Sequence, residues 1–84
     1  MPSIARFYGI IISLHQLSKE HNPPHIHASY SGQMCRYEIL TGKPLDSKLP
    51  NNANRLVKEF IRQHRQELLE MWNTGIYKTL EFKE

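Results

Sequence analysis

The chain has 84 residues and a formal net charge of +3, and 39% of its residues are hydrophobic. This length predicts one domain with a modest core, because so short a chain buries only about 60% of the surface that its unfolded form exposes. The single cysteine, Cys35, excludes an intrachain disulfide, and no run approaches the ~20 apolar residues that span a bilayer. The first residues also lack the pattern of a signal peptide. We therefore expect a cytoplasmic protein with no membrane contact, whose slight basicity permits a nucleic-acid partner without requiring one.

The first predicted element is a single strand over residues 6–17. Phe7, Tyr8 and three consecutive isoleucines supply the aromatic and β-branched side chains that strands favour. The run is apolar on both faces, which is typical of a central or covered strand. Gly9 inside it indicates a bulge or the close approach of another backbone.

Two prolines stand between histidines in the stretch HNPPHIH, residues 21–27. A proline has a fixed φ and no N–H, so the pair suits the entrance of a strand better than its interior. The strand predicted next, over residues 25–30, alternates: Ile26 and Ala28 share one face, and His25 and His27 share the other.

After a turn predicted at Ser31-Gly32, a third strand is expected over residues 33–40. Its inward side chains are Cys35, Tyr37 and Ile39, and the opposite face carries Arg36 and Glu38. A further turn over residues 41–44 precedes a short edge strand over residues 45–49. Residues 1–49 are thus predicted to form an antiparallel meander of three to four strands.

The remainder of the chain changes to a helical period. Apolar residues recur at helical spacing from Ala53 to Trp72, which predicts one long helix over about residues 52–74 within the segment 50–75. Asn51 or Asn52 is expected to cap its start, and Gly75 to end it. Residues 76–84 are expected to form a short strand or a loose tail. The predicted fold class is α+β: a single domain, residues 1–84, with the small meander packed against one long C-terminal helix.

If Ile26 and Ile39 both face the helix, four polar side chains share the open face of the sheet: His25, His27, Arg36 and Glu38. Imidazoles exchange protons near pH 7 and arginine binds phosphate in a bidentate manner. One interpretation is therefore a metal-independent ribonuclease that needs no cofactor. A second is a metal site formed by His21, His25 and His27, and a third is an ordinary solvated sheet face.

Basic residues line one flank of the predicted helix at steps of three, four and three: Arg55, Lys58, Arg62 and Arg65. Such a stripe can follow a phosphate backbone or bind an acidic partner. The alternative is a solvated flank with internal ion pairs such as Arg55–Glu59. His64 falls in the apolar stripe, which predicts a core histidine bonded to a backbone carbonyl or a tyrosine.

Several segments together resemble the bacterial family called domain of unknown function 4160. They are Met1-Pro2-x-Ile4, Arg6-Phe7-x-Gly9-Ile10, the block His21-Asn22-Pro23-Pro24-His25-x-His27-Ala28, Thr41-Gly42, and Leu56-Val57 with His64-Arg65-x-Glu67-Leu68-Leu69 and Trp72. The resemblance covers about residues 1–75, and the histidine–proline block is its most specific part.

The resemblance implies a function through gene neighbourhood, since genes of this family often lie beside those of domain of unknown function 2442. That arrangement resembles a toxin–antitoxin module. It implies a toxin-like chain that acts on or binds RNA, with a cognate small antitoxin-like partner encoded nearby. The alternatives are a non-catalytic antitoxin or regulatory module and a histidine-based metal-binding domain, and a homodimer is compatible with each. The family supplies no catalytic residues, so the candidates above derive from spacing alone.

Overall fold

The structure is a computed structural model that describes residues 3–14 and 23–84. Within them, four strands form one antiparallel sheet in chain order, and one long helix packs on the sheet. The strands are β1 (Ser3–Phe7), β2 (Ile10–Ser13), β3 (His25–Tyr30) and β4 (Gln33–Glu38), and the helix is α1 (Asn51–Thr74). This confirms the predicted α+β arrangement of a meander and a long C-terminal helix. Among residues 3–14 and 23–84, no helix is both long enough and apolar enough to cross a membrane.

The prediction of one strand over residues 6–17 is wrong. The apolar run contains a two-residue hairpin turn. Residues 15–17 of the predicted strand lie outside the described part of the chain. Tyr8 and Gly9 have φ values of 50° and 79°, and Phe7 pairs with Ile10 across the turn. Positive φ at both central residues gives a turn whose twist matches that of the flanking strands, so the chain reverses without interrupting its hydrophobic pattern.

The middle of the sheet follows the predictions closely. β3 and β4 pair from His25 opposite Glu38 to Tyr30 opposite Gln33. The turn between them lies at Ser31-Gly32, with φ values of 50° and 81°. The side chains predicted to face inward are fully buried: Cys35, Tyr37 and Ile39.

The predicted edge strand over residues 45–49 is wrong, although the chain does cover the outer edge of β4. Pro44 makes an isolated bridge to Tyr37, and the Leu45 N–H donates to the Arg36 carbonyl at 2.7 Å. The Arg36 N–H donates to the Asp46 carboxylate at 3.0 Å. The Asp46 side chain therefore takes the place of a backbone acceptor for the Arg36 N–H, and the regular ladder ends there. Pro44 does not extend the ladder, because it has no N–H to donate. The result shields an edge that would otherwise invite another strand.

The helix ends where the sequence predicts but begins differently. Pro50 occupies the N-cap position, and no side-chain cap bond is formed at this described end, so the prediction of an asparagine cap is wrong. The Asn51 side chain instead accepts a hydrogen bond from Lys48 at 2.8 Å. Gly75 takes a left-handed conformation with φ of 73° and donates its N–H to the Met71 carbonyl, which confirms the predicted C-terminus.

Residues 76–84, all of them described, form neither a strand nor a loose tail. This C-terminal tail returns along β1, where the Leu80 N–H donates to the Ile4 carbonyl at 2.7 Å. Phe82 stacks on Phe7 with ring centroids 4.8 Å apart, and Phe7 stacks in turn on Phe60 at 5.1 Å. The tail therefore completes the hydrophobic core between the sheet and the helix.

Candidate functional site

The strand register brings the four predicted sheet residues together. His25 lies opposite Glu38, and His27 lies opposite Arg36. The two imidazole rings are 5.3 Å apart between centroids, at an interplanar angle of 62°. The alternation of β3 and β4 therefore places these side chains in one group, which we call the histidine cluster (His25, His27, Arg36 and Glu38).

His25 is not on an open, solvated surface, which corrects the prediction of an exposed face at this position. Its side chain is 8% exposed, and its ring lies 5.1 Å from the Trp72 ring at the end of α1. The Nδ1 atom is 2.8 Å from the Pro23 carbonyl oxygen and donates to it. The proline pair thus has a second role beyond its rigid backbone: its first carbonyl orients the imidazole that follows.

Arg36 is held by a carboxylate that the sequence analysis did not select. Its Nε and Nη2 atoms donate to the two Asp46 oxygens at 3.0 and 2.9 Å. These hydrogen bonds, with the one from the Arg36 backbone, lower the pKa of Asp46 to about 2. A phosphate at this guanidinium would compete with a bidentate carboxylate. No periodic signal marks Asp46, because it reaches Arg36 from an irregular segment ten residues away in the chain.

Glu38 makes a structural contact, and the described residues do not form the alternative metal site. Glu38 accepts a hydrogen bond from the Thr41 hydroxyl at 3.0 Å, so its carboxylate also anchors the turn after β4. His21, a member of the alternative metal site, lies outside the described residues. Among residues 3–14 and 23–84, no group of three or more His, Cys, Asp and Glu side chains is placed to hold a metal ion.

The four predicted helix cations line one groove of about 620 Å³ between α1 and the turn at Thr41-Gly42. We call it the basic groove, and its cations are Arg55, Lys58, Arg62 and Arg65. Glu59 is the one acidic residue in its lining.

The predicted ion pair between Arg55 and Glu59 in the basic groove is not formed. Glu59 binds Arg62 instead, and the Arg62 Nε donates to it at 2.9 Å. This contact lowers the pKa of Glu59 and raises that of Arg62. Arg65 donates to the Ile39 carbonyl at 2.9 Å. Arg55 and Lys58 are exposed and pair with no acidic side chain among the described residues.

A second cavity of about 640 Å³ adjoins the basic groove and shares Arg55 and Glu59 with it. We call it the aromatic pocket, after three rings in its lining: Tyr8, Tyr30 and Phe82. These rings come from the first hairpin turn, the end of β3 and the C-terminal tail. No sequence signal predicts this pocket, because nothing in the spacing of three distant aromatic residues indicates that they meet.

His64 is confirmed as a core histidine. It is 4% exposed, and its ring is tilted by 50° against the Phe60 ring with centroids 4.9 Å apart. Its Nδ1 lies 2.5 Å from a Glu67 carboxylate oxygen, and its Nε2 lies 2.6 Å from the Glu81 carbonyl oxygen. Both neighbours are acceptors, so both contacts are hydrogen bonds at once only when the ring carries two N–H groups. His64 therefore joins α1 to the C-terminal tail and lies apart from the histidine cluster.

These features define a small α+β protein with a shielded four-stranded meander, a histidine cluster in which only His25 is buried, and a basic helix flank. The family model described as Domain of unknown function (DUF4160) matches residues 9–73, and the chain belongs to this family. No curated protein and no solved structure gives a significant match. β1 and the C-terminal tail, which contact each other, lie outside the matched residues.

Proposed function

We propose that this chain binds RNA through the basic groove, as the toxin-like component of a toxin–antitoxin-type pair. The observation that carries the proposal is the charge of the groove, where four cations face one carboxylate. Glu59 is already engaged by Arg62, which leaves Arg55 and Lys58 without an acidic partner among the described residues. A row of cations without local counter-charges attracts a polyanion, and this attraction grows as the polyanion releases its condensed counterions.

The shape of the groove suits a strand of phosphates better than a single anion. The cations run from residue 55 to residue 65 of one helix, a distance of about 15 Å at the usual helical rise. Three of the four are arginines, whose planar guanidinium groups bind phosphate through paired N–H groups. Arg65 also bonds to the Ile39 carbonyl, directly after β4, so one end of the row is held in place.

The test is RNA binding by the Lys58→Glu variant, measured by fluorescence anisotropy across a series of salt concentrations. We expect affinity to fall by about tenfold and the slope of log K against log salt to become shallower by about 0.7 to 1, the contribution of one phosphate contact. Lys58 is exposed and makes no contact on which the fold depends, so the variant is expected to fold normally.

The matched control is Arg6→Glu, which changes net charge equally but lies on the exposed side of β1, away from the basic groove. It is expected to retain nearly all of the affinity. An equal loss in both variants would show that net charge, and not the groove, attracts RNA. Absence of binding by the unaltered protein would refute the proposal.

A second candidate function, metal-independent cleavage of the bound RNA, is favoured by the cross-strand register that groups His25 and His27 with Arg36 and Glu38. His27 is half-buried, whereas His25 is fixed by Pro23 and Trp72, so His27 is the better candidate for proton transfer. The RNA 2′-oxygen would then attack the adjacent phosphorus while an imidazole accepts its proton. The bond from phosphorus to the 5′-oxygen would break, that oxygen would take up a proton, and a 2′,3′-cyclic phosphate would remain.

Bacterial growth upon induced expression tests this second candidate. We expect the chain alone to arrest growth, co-expression of its antitoxin-like partner to relieve the arrest, and His27→Ala to abolish it. Purified His27→Ala protein is expected to bind RNA as tightly as the unaltered chain. Persistent arrest by His27→Ala, and by a variant that also carries His25→Ala, would exclude cleavage and leave toxicity by binding. No arrest by the unaltered chain would instead favour a regulatory or antitoxin role.

A further inference from the structure

We propose that the aromatic pocket holds an unpaired base of the RNA whose backbone follows the basic groove, so that the ligand is single-stranded RNA. This inference rests on the proposed function and specifies its substrate class. It derives from the position of the aromatic pocket, which meets the basic groove at Arg55 and Glu59. A strand bound along the cations therefore passes the opening of a cavity lined by three aromatic rings.

The rings of the pocket are partly accessible. Tyr8, at the tip of the first hairpin, is 56% exposed although it is a large aromatic residue. It meets Phe82 edge to face, with centroids 5.9 Å apart and an interplanar angle of 82°. The Tyr8 hydroxyl donates to the Glu84 carboxylate, which holds the ring in place. A fixed and exposed aromatic ring beside a cavity is a suitable stacking partner for a base.

The turn that presents Tyr8 also limits what surrounds Tyr30. A Cβ atom at Gly9 would lie 3.7 Å from the Tyr30 ring, and the φ of 79° at Gly9 disfavours any larger residue there. That distance is an ordinary van der Waals contact, so the hairpin turn lies beside the Tyr30 ring, and Tyr8 and Tyr30 line one cavity.

The two cavities differ in charge, and this difference indicates which part of a nucleotide each one suits. In the aromatic pocket, Arg55 and Lys83 are balanced by Glu59 and Glu84. In the basic groove, four cations face one acid. A neutral base suits the balanced, ring-lined pocket, and charged phosphates suit the groove. In a duplex the bases are paired and stacked, so they would not reach such a pocket, whereas unpaired bases stack readily on aromatic side chains.

The experiment is a binding cycle with two labelled single-stranded RNAs of about twelve nucleotides, within the size range of single-strand binding sites. One is unmodified, and the other carries abasic positions and hence the same phosphate charge. We expect the unaltered protein to bind the abasic strand at least about fivefold more weakly, which is the low end for loss of one stacked base. The Tyr8→Ala variant is expected to bind both strands with equal, reduced affinity. The Tyr8→Phe variant keeps the ring but loses its bond to Glu84, and it is expected to bind the unmodified strand more tightly than the abasic one. The control Met34→Ala removes an exposed side chain outside the aromatic pocket and is expected to discriminate as the unaltered protein does.

The outcomes distinguish this inference from the proposed function. Equal binding of both strands by the unaltered protein overturns the base pocket and leaves phosphate binding by the groove intact. Tighter binding of a duplex of the same sequence also overturns it. If Tyr8→Ala still binds the unmodified strand more tightly than the abasic strand by the same factor, the base lies outside the aromatic pocket and the inference is overturned. If neither strand binds, the proposed function fails first and the base pocket fails with it.

Discussion

Replacement of Phe60 by alanine is expected to lower the free energy of unfolding by about 3–5 kcal/mol, the range for removal of a buried aromatic ring. Phe60 is fully buried and lies between Phe7, at 5.1 Å, and His64, at 4.9 Å. Through Phe7 this stack continues to Phe82 of the C-terminal tail. Loss of the Phe60 ring therefore removes contacts with the sheet and the helix and leaves a cavity beneath the tail.

The expected loss is large compared with the total stability of a small domain, which is on the order of 5–15 kcal/mol. Denaturation in urea, followed by circular dichroism, measures it directly. Met34→Ala is a suitable control, because this side chain is 55% exposed and its removal is expected to change stability by no more than about 0.5 kcal/mol. A loss below about 1.5 kcal/mol for Phe60→Ala would contradict a central role for the aromatic stack, given the usual cost of such a truncation.

Replacement of His64 by leucine is expected to destabilise the protein by about 1–3 kcal/mol and to loosen the C-terminal tail, because the buried imidazole that joins α1 to the tail disappears. The Glu81 carbonyl and the Glu67 carboxylate would both lose a partner. The Leu80 amide of the tail bonds to the Ile4 carbonyl of β1, so its rate of hydrogen exchange measures the loosening. Protection equal to that of the unaltered protein would show that Phe82 and Leu80 hold the tail without His64.

The same variant is expected to flatten the dependence of stability on pH in the acid range. The bond from His64 lowers the pKa of Glu67 below its ordinary value of 4.5, and Lys78 contributes as well. A carboxylate with a lowered folded-state pKa stabilises the protein above its unfolded pKa, and this contribution is lost as the pH falls below that value. As the pH falls below 4.5, the free energy of unfolding of the unaltered protein is therefore expected to decrease more steeply than that of His64→Leu. Parallel losses in the two proteins would contradict this coupling.

Much of the fold follows from two periodicities. The two-residue alternation of β3 and β4 predicts the buried positions of Ile26, Ala28, Cys35 and Tyr37, but it does not predict the burial of His25. The helical spacing from Ala53 to Trp72 predicts α1 and its buried stripe. Gly75 marks the helix end because a left-handed residue is required there. These signals are local, so a single sequence contains them in full.

The errors occurred where no local signal distinguished the alternatives. The first hairpin turns at Tyr8-Gly9, and a tyrosine with positive φ belongs to none of the usual turn dipeptides. The run from Phe7 to Ile12 has no polar residue apart from the Tyr8 hydroxyl, so one long strand and two short strands have the same hydrophobic pattern there. The predicted edge strand failed because Asp46 replaced a backbone acceptor, a choice that depends on the position of Arg36.

For the candidate sites, the sequence by itself determined which residues share an element and a face. It grouped Arg55, Lys58, Arg62 and Arg65 on one helix flank and His25 with His27 on one strand face, because the spacing of residues within an element is set by backbone geometry. Only the tertiary structure decided which of these groups remain accessible. Asp46 engages Arg36 and Trp72 covers His25, whereas the groove beside Arg55 stays open and meets an aromatic pocket. Such contacts join residues far apart in the chain, and their energies depend on packing that no local pattern records.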